Sequence, residues 1–238
     1  MLFRSAIATT LFVSFGAIAF GAPAAWAATI HATPYAGEHD LSEILDSNGY
    51  SHANSIAELN ANQSLAEIFS LLGSHSEVTL LIEDAGYSDS NQLGIYSISD
   101  TSLTATLFSG PDGAPSTATL VFGAGGLLSV NGSAVSSDFG SEFGFYLENG
   151  SEGFNWYSQT AMNDDGYDHF AAFEENGELW AGFEDLRGGG DEDFNDLVFH
   201  MTGVAGVPVP EPSGSLAFAV GLLLVSRATR RSEPSTRA

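Results

Sequence analysis

The spacing of apolar residues along this chain changes character near residue 77. Downstream, apolar, β-branched and aromatic residues alternate with polar ones in short runs closed by Gly, Pro, Asp or Asn, as half-buried strands do. Glu77–Glu83, Leu93–Ile98, Ser102–Phe108, Thr117–Phe122, Leu127–Val130, Phe143–Leu147, Asn155–Ser158, His169–Glu174, Leu179–Phe183 and Leu197–Met201 are the strands this predicts. Asn131-Gly132 closes a tight hairpin after Val130. Upstream, the spacing is helical. Asp40-Leu-Ser-Glu43 has the form of a capping box, Leu41, Ile44 and Leu45 share one helical face, and Gly49 stands where that helix would stop. Ser64–Leu72 repeats a three-and-four spacing at Leu65, Ile68, Phe69 and Leu72 and predicts a second short helix. Many short strands with turn signals every ten residues or so predict an all-β domain. The expected form is an antiparallel β-sandwich, jelly-roll-like, with one or two short N-terminal helices. No repeat indicates a propeller or solenoid.

The two ends of the chain read as addresses. Arg4 precedes an apolar run from Ala6 to Phe20, and Ala25-Trp-Ala27 fits the small-x-small pattern for signal peptidase, so residues 1–27 are expected to be removed after Ala27. At the other end, Pro210-Glu211-Pro212 is followed by an apolar run from Leu216 to Val225 and then by Arg227, Arg230 and Arg231. This order of parts resembles the PEP-CTERM sorting signal, which implies recognition and removal of the tail by an exosortase-type enzyme. The resulting division is a signal peptide (1–27), a β-sandwich domain (28–205), a linker carrying the sorting motif (206–215), a hydrophobic segment (216–226) and a basic cytoplasmic tail (227–238). The hydrophobic segment is short of the roughly 20 residues that span a bilayer unaided, so its arginines must help anchor it. Membrane association is therefore expected through this segment, before processing. The domain itself is expected in the cell envelope, at the cell surface or in the extracellular matrix.

Charge agrees with export and narrows the partners. The chain has no cysteine, so neither disulfides nor thiolate chemistry are available. Of its 30 acidic residues, all but Glu211 and Glu233 lie between Ala28 and Pro210, where Arg187 is the sole arginine and there is no lysine. Such a domain excludes nucleic acid and anionic membrane as phosphate-contacting partners and suits divalent cations.

The acidic residues are densest in Gly182–Phe199. Glu184, Asp185, Asp191, Glu192, Asp193, Asn195 and Asp196 surround the three glycines Gly188–Gly190, flanked by strand-like apolar residues. Like charges so crowded either raise one another's pKa or recruit a cation. A hard, oxygen-seeking ion such as Ca²⁺ suits carboxylates, an amide and turn carbonyls. Asp191, Asp193 and Asn195 keep EF-hand spacing at positions one, three and five, but Asp196 stands where that loop needs glycine and Thr202 where it needs glutamate. An EF-hand is excluded; a calcium site of another geometry and a solvated acidic turn both remain open.

Trp180–Phe199 resembles the C-terminal signature of a bacterial exported domain of unknown function that reads E-D-x-x-G-G-G-D-x-D-[FY]-x-D. Thr79–Tyr96 and Met162–Phe170 are similar to other segments of that family, so the resemblance covers about residues 37–203. It implies an all-β, exported, calcium-binding domain and no known activity. A second acidic stretch, Asn163–His169, brings Asp164, Asp165 and Asp168. Asp165 and Asp168 would join the cation site if this loop and the glycine turn meet at one end of the sandwich; the alternative is a turn built on Asp165-Gly166.

No G-x-S-x-G, H-E-x-x-H, Walker or Rossmann pattern is present, and carboxylates this abundant need not be a catalytic pair, so no enzyme is expected, with a glycoside hydrolase the residual alternative. The nearer rival is a calcium-dependent carbohydrate-binding module, in which Trp156 or Tyr157 would offer a ring face to a sugar; matrix exopolysaccharide is then the partner. The reading adopted is an exported, surface-sorted calcium-binding sandwich with a structural or adhesive role.

Overall fold

Side-chain alternation accounts for most of the observed strands. The structure, a computed structural model, describes residues 27–208 except 36, 84–88 and 111. The leader through residue 26, the sorting residues Pro210, Glu211 and Pro212, and the segments after them lie outside the described residues. The elements in order are α1 (Leu41–Ser47), α2 (Ile56–Asn62), β1 (Phe69–Leu71), β2 (His75–Ile82), β3 (Asn91–Ser97), β4 (Thr104–Phe108), β5 (Ser116–Phe122), β6 (Leu128–Val130), β7 (Ser133–Ser136), β8 (Glu142–Asn149), β9 (Phe154–Tyr157), β10 (Phe170–Glu175), β11 (Glu178–Phe183), β12 (Leu197–Thr202) and β13 (Val204–Gly206). They form two antiparallel sheets, as expected for a sandwich. One has the order β13-β1-β8-β3-β4 with β9 also on β8; the other has the order β10-β11-β12-β2-β5-β6-β7. Among the described residues no helix is long and apolar enough to cross a membrane.

The core between the sheets is aromatic. Phe145 of β8 meets Phe199 of β12 at 4.8 Å between ring centroids and stacks on Phe170 of β10 at 5.8 Å. Each fully buried phenylalanine contributes about 1.5–3 kcal/mol relative to exposure. The second sheet is covered on its outer face as well. Ala171, Phe173, Trp180 and Val198 pack there against Ile30, Leu41, Leu45, Tyr50 and Leu59 of the N-terminal segment and helices. Burial on both faces is why β10–β12 read as nearly unbroken apolar runs.

Two expectations need correction. The second helix is not Ser64–Leu72. It lies at Ile56–Asn62, where the Ser55 side chain accepts from the Glu58 N–H at 3.2 Å, a cap written in Ser55-Ile-Ala-Glu58. Leu65 and Leu72 are exposed while Phe69 is fully buried in β1, so the helical spacing there was coincidental. Asp40 does precede α1, but its side chain caps nothing in the helix; its Oδ1 accepts from the Thr33 N–H at 2.8 Å and ties down the preceding segment.

Four chain segments meet at one end of the sandwich. β3 starts at Asn91, which pairs with Asn149 at the end of β8, and β11 ends at Phe183, paired with Leu197 at the start of β12.

Candidate metal centre

Because Phe183 pairs with Leu197, Glu184 and Asp196 leave the sheet facing each other, and the acidic loop runs between them. Its backbone is in an unusual conformation. Gly188, Gly189 and Gly190 have φ of 80°, 84° and 54°, and two non-glycine residues, Glu192 and Phe194, sit at 63° and 57°. Non-glycine residues held there cost of order 1 kcal/mol or more, and Phe194, 1 % exposed, is the hydrophobic anchor that holds the turn down.

Three carboxylates converge outside the sheet. Single oxygens of Glu38, Asp191 and Asp193 all lie within 4.8 Å of one another. That is the span of opposite oxygens about one ion at a Ca–O distance of about 2.4 Å. Glu184 stands beside them: it is fully buried, its Oε1 accepts from the Phe194 N–H at 2.7 Å, and its Oε2 has no hydrogen-bond partner. Burial, then the charges of Asp196, Asp193 and Asp191, push Glu184 up to about 9. Burial and Asp185 push Asp196 to about 8, and burial raises Asp193 to about 6 despite a hydrogen bond from Thr33. Glu184 and Asp196 therefore carry a proton at neutral pH unless a cation replaces it, whereas Asp193 is mostly ionised there.

The remaining expected ligands divide. Asn195 is a brace: its amide donates to Asp193 Oδ2 and to the His39 carbonyl, both at 3.0 Å. Glu192 turns away to His31, 3.3 Å distant. The Asn163–His169 loop does meet the glycine turn, but Asp165 is occupied there, its Oδ2 accepting from the Gly188 N–H at 2.8 Å and lying 3.0 Å from His169 Nε2. Burial works against its charge, yet those contacts and the Tyr167 N–H hold Asp165 below the usual range. Asp168 faces a different place, a small pocket lined by Ala27, Glu67 and Phe170. Arg187 pairs with Asp164 at 3.0 Å and lies over the Phe154 ring.

Asp185 is held from several sides. Its carbonyl accepts from Trp156 Nε1 at 2.8 Å and Asn149 Nδ2 at 3.2 Å, its N–H donates to Asp196 Oδ2, and its own Oδ2 accepts from Asn91 Nδ2 at 2.8 Å. Trp156 is therefore a buried strut, fully unexposed and stacked on His169 at 3.9 Å; it offers no ring face to a sugar. Tyr157 is half-buried and packs edge-on against Tyr96. Glu38 is the ligand candidate that the spacing of residues did not reveal, because some 150 residues separate it from the loop.

A comparison with known families bears on the segment that carries the acidic loop. Residues 139–204 match the family described as Domain of unknown function (DUF4114). The DUF4114 segment begins just before β8 and ends at β13, so it contains the acidic loop, Asn149 and Trp156, while Glu38 and Asn91 lie outside it. No curated protein matches the chain.

Proposed function

We propose that this protein is an exported, surface-sorted calcium-binding β-sandwich with a structural or adhesive role in the cell envelope or extracellular matrix. One observation carries the calcium reading. The convergent oxygens of Glu38, Asp191 and Asp193 stand beside a fully buried Glu184 whose Oε2 has no donor. The arginine of this domain does not complete the group, being engaged by Asp164. A calcium ion would neutralise the carboxylates and fix the N-terminal segment through Glu38 to the β11–β12 loop. The ion then acts as a structural clasp, which agrees with an adhesive or scaffolding role rather than turnover.

Thermal unfolding in millimolar calcium and in chelator, at matched ionic strength, tests the site. A native-state ligand at a hundredfold excess over its Kd adds about 2.7 kcal/mol, a shift of several degrees. Asp193→Ala removes most of that shift, and magnesium reproduces less of it because the ligands do not impose a small octahedron. Equal midpoints in calcium and chelator would return the loop to a solvated turn. Sorting is tested separately by intact mass of exported material, which should lack both the leader through Ala27 and the tail after the Pro210-Glu211-Pro212 region. Retention of Arg227–Ala238 would leave a permanent anchor instead.

A further inference from the structure

Strand parity separates the two neighbouring acids at the end of β11. Leu179, Ala181 and Phe183 point into the core between the sheets, and Trp180 points to the outer face. Continuing that alternation, Glu184 faces outward, toward Glu38, Asp191 and Asp193, and Asp185 faces inward, toward β3 and β8. Its contacts agree, since Asn91 and Asn149 both come from the opposite sheet. One ion held at Glu38, Asp191 and Asp193 therefore does not account for Asp185.

The surroundings of Asp185 have their own unmet demand. Asn91 is 1 % exposed; its Nδ2 is used on Asp185, and its Oδ1 has no partner. Glu83, at the end of β2, also has a buried oxygen, Oε1, without a partner, and Asp185 is its strongest charged neighbour, followed by Asp89 and Asp112. An amide oxygen and the carboxylates of Asp185 and Glu83 thus come from three separate segments, with no lysine in the chain and with Arg187 engaged by Asp164; His169, the basic group that acts on Asp185, already contacts Asp165. Neutral amide oxygen with carboxylate is the donor set of a hard divalent cation.

We propose that Glu83, Asn91 and Asp185 hold a second divalent cation, calcium in kind, separate from the one at Glu38, Asp191 and Asp193. Asp196, whose Oδ2 accepts the Asp185 N–H, stands between the two. This ion ties Glu83, just after β2, and the start of β3 to the end of β11, so it joins the two sheets where the first ion joins the loop to the N-terminal segment. The inference extends the calcium reading of the loop, and it fails or stands separately from it.

The test is stoichiometry on the exported protein, by calorimetric calcium titration and by metal analysis after dialysis. Wild type should bind two ions per chain, Asn91→Leu one, Asp193→Asn one, and the double variant none. Terbium read through tryptophan supplies a second measurement that does not depend on one variant folding. Trp156 adjoins Asp185 through its indole N–H, so sensitised emission should persist in Asp193→Asn and fall at least severalfold in Asn91→Leu and in the milder Glu83→Gln. A single ion in wild type, lost in Asp193→Asn and unaffected by Asn91→Leu or Glu83→Gln, overturns the second site and leaves the first. A single ion that survives Asp193→Asn and is lost in Asn91→Leu upholds the second site and overturns the first. No bound ion overturns both.

Discussion

Gly190 lies so close to Glu184 that a β-carbon on it would collide with Oε2, the carboxylate oxygen that has no hydrogen-bond partner. The third glycine of the turn is thus required twice, once by its φ of 54° and once by its neighbour. Gly188 has φ of 80° with open space around its missing side chain, so it isolates the backbone effect alone. Gly188→Ala should cost about 1 kcal/mol, and Gly190→Ala about 2–3 kcal/mol. Only Gly190→Ala should also reduce the calcium-dependent gain in stability. Urea unfolding with and without calcium measures both effects, and equal losses for the two variants would mean that Glu184 yields freely.

Stability in chelator should fall as pH rises from 5 to 9. Glu184, Asp196 and Asp193 have folded pKa values raised to about 9, about 8 and about 6, chiefly by burial, and burial likewise lifts Glu83 to about 8. A carboxyl whose pKa is higher folded than unfolded binds more protons in the native state. Its contribution is therefore complete below the unfolded value near 4 and is lost as pH passes through the folded value. Calcium displaces those protons, so its affinity should rise over the same interval and flatten the profile. Melting temperatures taken between pH 5 and 9 in chelator and in calcium check this; a chelator profile that rises with pH would contradict the assignment of buried, protonated acids.

Glu38→Gln should weaken calcium binding roughly tenfold, about 1.4 kcal/mol, while Glu43→Gln should leave it unchanged. Both acids lie at the N-terminal end of the domain, but Glu38 meets Asp191 and Asp193, whereas Glu43 sits on α1 in an exposed contact 3.7 Å from His39. Calorimetric titration distinguishes them. Equal affinity in the two variants would remove the N-terminal segment from the site.

Strands and acidic loop were legible in the sequence because each is specified locally. Alternation set β2–β5 and β8–β12, and the density of acids around Gly188–Gly190 marked the loop as a candidate site. What was not legible depends on distance along the chain. β1 and β13 are three-residue strands that exist because Phe69–Leu71 pairs with Val204–Gly206, a contact that no local period encodes. Glu38 joins the loop only through the packing of Ile30 and α1 on the outer face, and Asn91 reaches Asp185 only through the facing of the two sheets. Trp156 was misplaced for a related reason. Alternation in Phe154–Tyr157 does separate neighbouring rings, but it could not say that the inward one would be spent on the Asp185 carbonyl.

Asp168 supplies a prediction about maturation. Burial raises it to about 7, with the Glu67 charge acting in the same direction, and the backbone N–H of Ala28 is among the groups that hydrogen-bond to it. The pocket between them is lined by Ala27 and Glu67, and the chain just beyond is fixed, since Ile30 exchanges two hydrogen bonds with the Asn60 side chain. Cleavage after Ala27 would turn the Ala28 amide into an α-ammonium at that spot, giving two carboxylates the positive partner that the precursor lacks. A hydrogen bond gains roughly 1–2 kcal/mol when its donor becomes charged in such surroundings, so the chain that begins at Ala28 should melt a few degrees above the same chain with a Met-Gly extension. Asp168→Asn should bring the two midpoints together, mainly by lowering the unextended form. The Ala28 amine should also react slowly with acylating reagent at neutral pH in wild type and faster in Asp168→Asn. Coincident midpoints for the extended and unextended chains, with Asp168 intact, would show that the new terminus remains in solvent.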